Sequence, residues 1–367
     1  MVKKFSSPWL VTLLVAMFYT GWILQLGGGD PLTFAEIGTR FSTGDPHGSE
    51  GYDGQFFYFI AVDPTTAPAH IDVPAYRFQR ILYPLLARLL AFGQIDLIPW
   101  MMVGINLAAM VGTAVVAQRL LTGHRVNRWY ALPIGLYVGQ LLSLRVDLPE
   151  PLALFLMLAS LWVFDQPRFG WLWSAVLLAL AVFTKETMLI TGAAILIYLV
   201  KQKEFRRAAI FGAILVGPFA LYQIYLFDRF GRFGLGSGGA GATPFELLPL
   251  GGLVRVAQTS GTAFLLFTLI LGPIVLWPAA WALFSTAKNL WAGRWQLWTL
   301  ALSLNALVIL FLPTSTFREP LAMVRFTGPL VALTILYSAQ IRSRRALNYS
   351  FLWLAALVLL VKDPLLQ

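Results

Sequence analysis

The sequence predicts an all-α, polytopic integral membrane protein, and three observations carry that class. Of its 367 residues 58% are hydrophobic and only 12% charged, about half the ~25% charge of a soluble domain. Mean hydropathy is +0.72, and the apolar residues gather in runs suited to a ~30 Å hydrocarbon core, which ~20 helical residues cross. The net charge of +10 is distributed so that one set of connections is basic and the other mildly acidic. A cytosolic enzyme, a disordered tail and a secreted disulfide scaffold are thereby excluded. The chain has no cysteine, so disulfides, thiolate metal sites and thiol nucleophiles are excluded too.

Taken in order, the apolar runs are 9–26, 99–117, 129–146, 148–164, 171–200, 208–227, 262–284, 295–312, 321–340 and 349–361. The run 171–200 is too long for one ordinary crossing and is interrupted by Lys185-Glu186, so it reads as two short helices turning at that pair. The positive-inside rule favours this reading. With Lys3 and Lys4 in the cytoplasm, the inner connections hold 15 of the 27 Lys and Arg, against two acids, Asp165 and Glu204. Net charge is then +13 inside and −3 outside. A single crossing over 171–200 would carry the basic segment 201–207 outside and invert everything after it. Eleven crossings are expected, amino terminus in and carboxy terminus out. The crossings 148–164 and 171–200 are short and should lie against protein or thinned bilayer. No signal peptide is expected, because 9–26 is long and no small-residue cleavage site precedes Gly27-Gly28-Gly29.

One domain, 1–367, accounts for the whole chain. The inner connections are too short to bind a nucleotide. The first outer loop, 27–98, is about 70 residues long, and such loops are usually functional or disordered; alternating turn signals and apolar stretches favour order. Asp30-Pro31 predicts a capped helix to about Arg40. Arg77, Arg80, Pro84 and Arg88 form a basic stripe on an otherwise greasy helix, expected to lie in the outer interface. A second outer loop, 228–261, is Gly-rich.

Charged residues concentrate at the outer boundary. They are Asp53 within Gly51-Tyr52-Asp53-Gly54-Gln55-Phe56-Phe57-Tyr58; Arg77 and Arg80; Arg145, Asp147 and Glu150; Lys185-Glu186; and Arg318-Glu319 with Arg325. Ionisable groups at membrane depth cost about 2.5–3.5 kcal/mol each and mark function or mutual pairing. A set confined to one side points to a shared site, although any one member could merely neutralise a neighbour. Asp53 is the sharpest candidate; the bland alternative is an Asx-turn capping the aromatic helix after it.

These residues resemble the GT-C superfamily of membrane glycosyltransferases, which use polyprenyl-phosphate-linked sugars on the outer side of the membrane. The segments 51–64, 77–84 and 148–156 with 184–187 are similar to small bacterial members linked to cell-envelope glycopolymer formation. The resemblance implies an inverting transfer of a hexosyl or pentosyl unit from a polyprenyl-phosphate sugar to a glycan or lipid-linked acceptor, at the periplasmic face of the bacterial inner membrane. Asp53 would be the catalytic base. Arg77 and Arg80, then Lys185, Arg318 and Arg325, would bind the donor phosphate. Glu50, Tyr52, Gln55, Glu150 and Glu186 would bind acceptor or assist. One departure is that many GT-C enzymes carry an acidic pair at the catalytic loop, whereas Gly54 follows Asp53 here and the nearest acid is Glu50. No cofactor is implied with certainty, and a divalent cation beside Glu50 or Glu150 stays open. Arg77→Ala or Arg80→Ala is expected to weaken donor binding and leave folding largely intact.

Elementary chemistry agrees. An acceptor hydroxyl attacking an anomeric carbon needs a base within hydrogen-bond reach, and a departing phosphate needs cations, for which the arginine fork is well shaped. The other class compatible with the pattern is a transporter or flippase of lipid-linked saccharide; transporters place charge near the midplane on broken helices, whereas 99–117 and 262–284 carry none. Other signals weigh little. Gly234-Leu235-Gly236-Ser237-Gly238-Gly239 fits a dinucleotide pattern but follows no strand and reads as a lid or linker. Asn348-Tyr349-Ser350 is a sequon on the cytoplasmic side. His47, His70 and His124 are scattered, and nucleic acid is not an expected partner.

Overall fold

The computed structural model describes residues 7–360, apart from the side chain of Leu359. Lys3, Lys4 and the end of the run 349–361 lie outside the described residues. Everything described is helix, turn or loop. The helices of eight residues or more are α1 (Pro8–Leu26), α2 (Gly54–Val62), α3 (Leu82–Leu90), α4 (Ile98–Gly123), α5 (Val138–Arg145), α6 (Glu150–Phe164), α7 (Gly170–Thr184), α8 (Leu189–Lys201), α9 (Phe205–Phe230), α10 (Gly251–Thr259), α11 (Gly261–Leu271), α12 (Trp277–Trp291), α13 (Leu297–Ile309) and α14 (Gly328–Gln340).

Among the described residues, four helical stretches are long and apolar enough to cross a membrane: α1, the stretch Ile95–Gly123 containing α4, α9, and Gly261–Trp291. The last joins α11 to α12 through one π-helical turn, Gly272–Leu276. Proline there cannot donate to the helical ladder, so the local winding changes. A fifth is obtained if Pro320–Phe326 and α14, bent by 44°, count as one span. The other apolar runs form shorter helices. Burial separates these stretches by position: 56% of the hydrophobic window of Ile95–Gly123 is buried, against 22% for α1 and 28% for α9. Thus α4 is a central post, while α1 and α9 present most of their surface outward.

Two expectations about single runs need correction. The run 129–146 is not one crossing helix; it is a 3-10 turn, a four-residue helix, a break at Leu136 and Tyr137, and then α5. Almost every residue from Ala131 to Pro149 is buried, so its apolar character serves the protein interior. Composition does not separate a lipid-facing run from a protein-facing one. The helix expected from Asp30 to Arg40 ends at Phe34. Asp30 does cap it, accepting from the Leu32 amide at 2.9 Å, but Glu36 adopts φ +50° and a separate turn of helix follows at Thr39–Ser42.

The interruption of 171–200 falls where the charge pair stands. α7 ends at Thr184, a short 3-10 turn spans Glu186–Met188 and α8 starts at Leu189. Lys185 is extended, with φ −155° and ψ 117°, so the chain leaves the helix there.

Candidate functional site

The site is built where α2 begins, where α6 begins, where α7 ends and where Pro320–Phe326 passes. Gly51 has φ +66°, a left-handed conformation that glycine adopts without strain. A Cβ at Gly54 would collide with the Val146 carbonyl. These two glycines let the 51–54 turn close against the segment before α6.

Asp53 stands at the N-cap position just before α2, yet its side chain makes no capping hydrogen bond. Its Oδ1 accepts from Arg77 Nη2 at 2.9 Å, and the carboxylate remains 36% exposed. Arg77 also forks onto Asp72, Nε to Oδ1 at 2.8 Å and Nη2 to Oδ2 at 2.9 Å. Its guanidinium lies 4.5 Å from the Phe56 ring centroid. Burial by itself would push the Asp53 carboxyl up; the charges of Arg77 and Arg325 and the Arg77 hydrogen bond outweigh it and hold its pKa below the usual carboxylate value. Asp72 is held low in the same way, burial being outweighed by the Arg77 fork and by the Ala240 and Val73 amides. Asp53 is therefore ionised at neutral pH.

Arg80 binds Glu186 bidentately, at 2.8 and 2.7 Å, and the Tyr76 hydroxyl at 2.7 Å. Lys185 Nζ donates to Glu150 Oε1 at 2.8 Å. Tyr52 donates to Glu319 Oε1 at 2.8 Å. The Arg325 guanidinium lies 5.2 Å from the Tyr52 ring and contacts the same carboxylate at 3.4 Å. Glu150, Lys185 and Arg325 line a crevice of about 10 Å³, room for about one water.

Of the candidate residues, the fold brings together Asp53, Tyr52, Arg77, Arg80, Glu150, Lys185, Glu186 and Arg325. Three stand apart. Glu50 is exposed and pairs with Arg40 at 2.5 Å. Gln55 is fully buried and staples the loop, accepting from Gly38 N and donating to the Glu50 carbonyl. Arg318 is exposed, with no ion pair among the described residues. The interfacial basic stripe is also corrected. Arg77 and Arg80 are 4% and 7% exposed, and they do not share a helix: Arg77 is on the short helix Pro74–Phe78 and Arg80 is in the turn that separates it from α3. Arg88 donates to the Ala61 and Val62 carbonyls at the end of α2. These arginines point into protein because carboxylates and carbonyls await them there, which helical spacing does not reveal.

Asp72 is the residue that sequence reasoning passed over. It stands two residues before Pro74, which opens the short helix carrying Arg77, a helix-start pattern that offered a signal. Through Arg77 it becomes the second acid beside Asp53, so the fold pairs two carboxylates that are not sequence neighbours. The Gly-rich loop is docked here rather than free: the Ala240 amide donates to Asp72 Oδ2 at 2.8 Å, and Gly239 packs against Arg77. Among the described residues no three His, Asp or Glu side chains converge as a metal ion would need, and Glu50 and Glu150 are each engaged by a cation, so no step is assigned to a divalent ion.

No protein-family model matches the sequence, no curated protein matches it, and no solved structure matches the fold. Fold and site together define a helical protein with apolar helices long enough to cross a membrane and a largely buried ion-pair cluster near the ends of several helices.

Proposed function

We propose that the chain is an inverting GT-C-type glycosyltransferase that uses a polyprenyl-phosphate sugar at the outer face of a bacterial plasma membrane. The observation that supports this most is Asp53: a partly exposed carboxylate, kept ionised by Arg77 and free of capping duty, beside further buried cations. The acceptor hydroxyl passes its proton to Asp53 while its oxygen attacks the anomeric carbon. The bond from that carbon to the phosphate oxygen breaks, and the electron pair leaves with the phosphate. A single displacement of this kind inverts the anomeric centre.

The pairings reorder the donor-binding roles. Arg77 and Arg80 are each engaged by carboxylates through Nε and Nη2, Arg77 Nη1 being buried without a hydrogen-bond partner, and we assign them to positioning: Arg77 orients the base, and Arg80 ties the first outer loop to the α7–α8 turn. Arg325 is the buried cation of this cluster with the loosest ion pair, 3.4 Å to the 48% exposed Glu319, its Nε being bonded to the Leu321 carbonyl at 3.1 Å. It is therefore the better candidate for the leaving phosphate, with Lys185, held by Glu150 across a crevice too small for a phosphate, second. The acceptor is a glycan or lipid-linked saccharide met by Tyr52 and the carboxylates around it.

Purified protein given radiolabelled polyprenyl-phosphate sugars and candidate acceptors should transfer label; no transfer from any donor that binds would end the enzyme reading. The pH dependence has a definite sign. Because the Asp53 pKa is lowered, the base stays ionised down to pH values below the ordinary ~3.9 of aspartate. Transfer should therefore show no acidic limb between pH 5 and 7 from this group; a limb centred near pH 6 that vanishes in Asp53→Asn would contradict the assignment.

The same reading includes eleven passes with the amino terminus inside, the broken and buried segment 129–146 counting as one pass rather than as a crossing helix, and it is supported by the break at Lys185 and the charge asymmetry. The chain has no native cysteine, so single-cysteine variants are clean reporters. Thr184 is fully buried and would label poorly, whereas His47 and Gln202 are exposed. An impermeant thiol reagent on intact cells should label His47→Cys and spare Gln202→Cys. The reverse pattern would invert the site's side.

A further inference from the structure

Away from the charged site, a groove of about 610 Å³ runs between α1, α4, α6 and α7. Its floor is one face of α4, from Leu107 through Val111 and Val115 to Arg119, and Phe155 and Trp162 of α6 form a wall. Ala108 on the floor and Ala159 opposite are small and open it, while Gly112 lets the Phe155 ring pack closely against α4. The lining is apolar except at one end, where Arg119 lies 4.7 Å from the Trp162 ring centroid. Arg119 is exposed and has no ion pair among the described residues. From Leu107 to Arg119 is ~18 Å of helix, slightly over half the ~30 Å hydrocarbon core. The groove is therefore one leaflet deep. By the charge asymmetry its cationic end lies in the cytoplasmic leaflet, close to Arg125 and Arg128.

We propose that this groove binds one acyl chain of an anionic phospholipid of the inner leaflet, with the headgroup phosphate held by Arg119. Volume, length and charge agree on that occupant. A helix from a second copy, ~10 Å across over the same ~18 Å, would need on the order of 1,400 Å³, more than twice the space present. A hydrocarbon chain is slender enough to fit. A lone basic end on an apolar cleft at the cytoplasmic side matches an anionic headgroup over a zwitterionic one, since each Arg near such a surface contributes attraction. The indole of Trp162 holds the guanidinium over the groove mouth. The site lies in the leaflet opposite the proposed reaction and does not depend on glycosyl transfer.

The test uses the full chain in detergent, loaded with phosphatidylglycerol or phosphatidylcholine of identical tails, with retained lipid counted by native mass spectrometry. Phosphatidylglycerol should be retained about five-fold better. Arg119→Ala should erase that preference and Arg119→Lys keep most of it, because a point charge suffices for attraction. Val111→Trp, which fills the floor, should lower retention of both lipids. As a check that does not rely on a filled groove folding normally, phosphatidylglycerol with brominated tails should quench the fluorescence difference between wild type and Trp162→Phe. Equal retention of the two lipids, an unchanged preference in Arg119→Ala, or no quenching at Trp162 would overturn the proposal. Stronger retention of a polyprenyl phosphate than of phosphatidylglycerol would also overturn it, in favour of the carrier lipid.

Discussion

Asp53→Asn is expected to lower glycosyl transfer by at least two orders of magnitude while the protein still folds and binds donor lipid. The substitution keeps size and one acceptor oxygen for Arg77, and removes basicity. A positioned general base typically contributes about 10²–10⁴-fold, so the loss should appear in the rate at saturating donor. Donor binding should persist because Arg325 and Lys185 are separate side chains from the base. The side chain makes no helix cap, so the change costs no capping energy, and asparagine would in any case cap well. A flippase has no proton to remove. Near-normal glycopolymer in Asp53→Asn cells, at matched protein level, would move the assignment to a flippase of lipid-linked saccharide.

The largest structural effect is expected at Arg80. The pair with Glu186 is nearly closed to solvent, with side chains 9% and 14% exposed, and it joins the first outer loop to the α7–α8 turn across 106 residues of sequence. Removing one partner strands a buried charge, which costs about 3–5 kcal/mol. Arg80→Ala should therefore destabilise the protein severely, contrary to the sequence-based expectation that folding would be spared. Arg80→Met with Glu186→Met should recover most of the loss, since replacing both charges by apolar groups is often neutral. Arg318→Ala, at an exposed position, should stay within about 0.5 kcal/mol. These variants are compared by thermal unfolding in one detergent. If Arg80→Ala unfolds no earlier than Arg318→Ala, the pair is not what holds the loop to the bundle.

Much of the site was legible in the linear pattern because membranes make charge expensive. A carboxylate or arginine near a helix end must have a reason, and Asp53, Arg77, Arg80, Glu150, Lys185, Glu186 and Arg325, grouped in the sequence reading at one boundary, do meet in space. The break at Lys185 was legible for a related reason: a charge pair inside an overlong apolar run is more cheaply placed at a turn. Who pairs with whom was not legible. Arg80 lies three residues from Arg77 yet serves a different acid, because the helix stops at Phe78 and the chain turns before α3. Asp72 escaped notice since its partner is five residues away, outside the i,i+3 and i,i+4 spacings that bring helical side chains together.

The sequence by itself determined an all-helical chain with apolar stretches long enough to cross a membrane, because hydrophobicity is carried by the residues themselves. Only the tertiary structure decided which apolar runs present their surface outward and which are interior. The segment before α6 is as apolar as a crossing helix, yet protein surrounds it. Tertiary structure also decided that Arg77 is a clamp on two carboxylates rather than an open phosphate ligand, leaving Arg325 as the looser cation. Hydrophobicity is summed residue by residue along a chain, whereas an ion pair needs two side chains within about 3 Å, and that distance is set by how the helices pack.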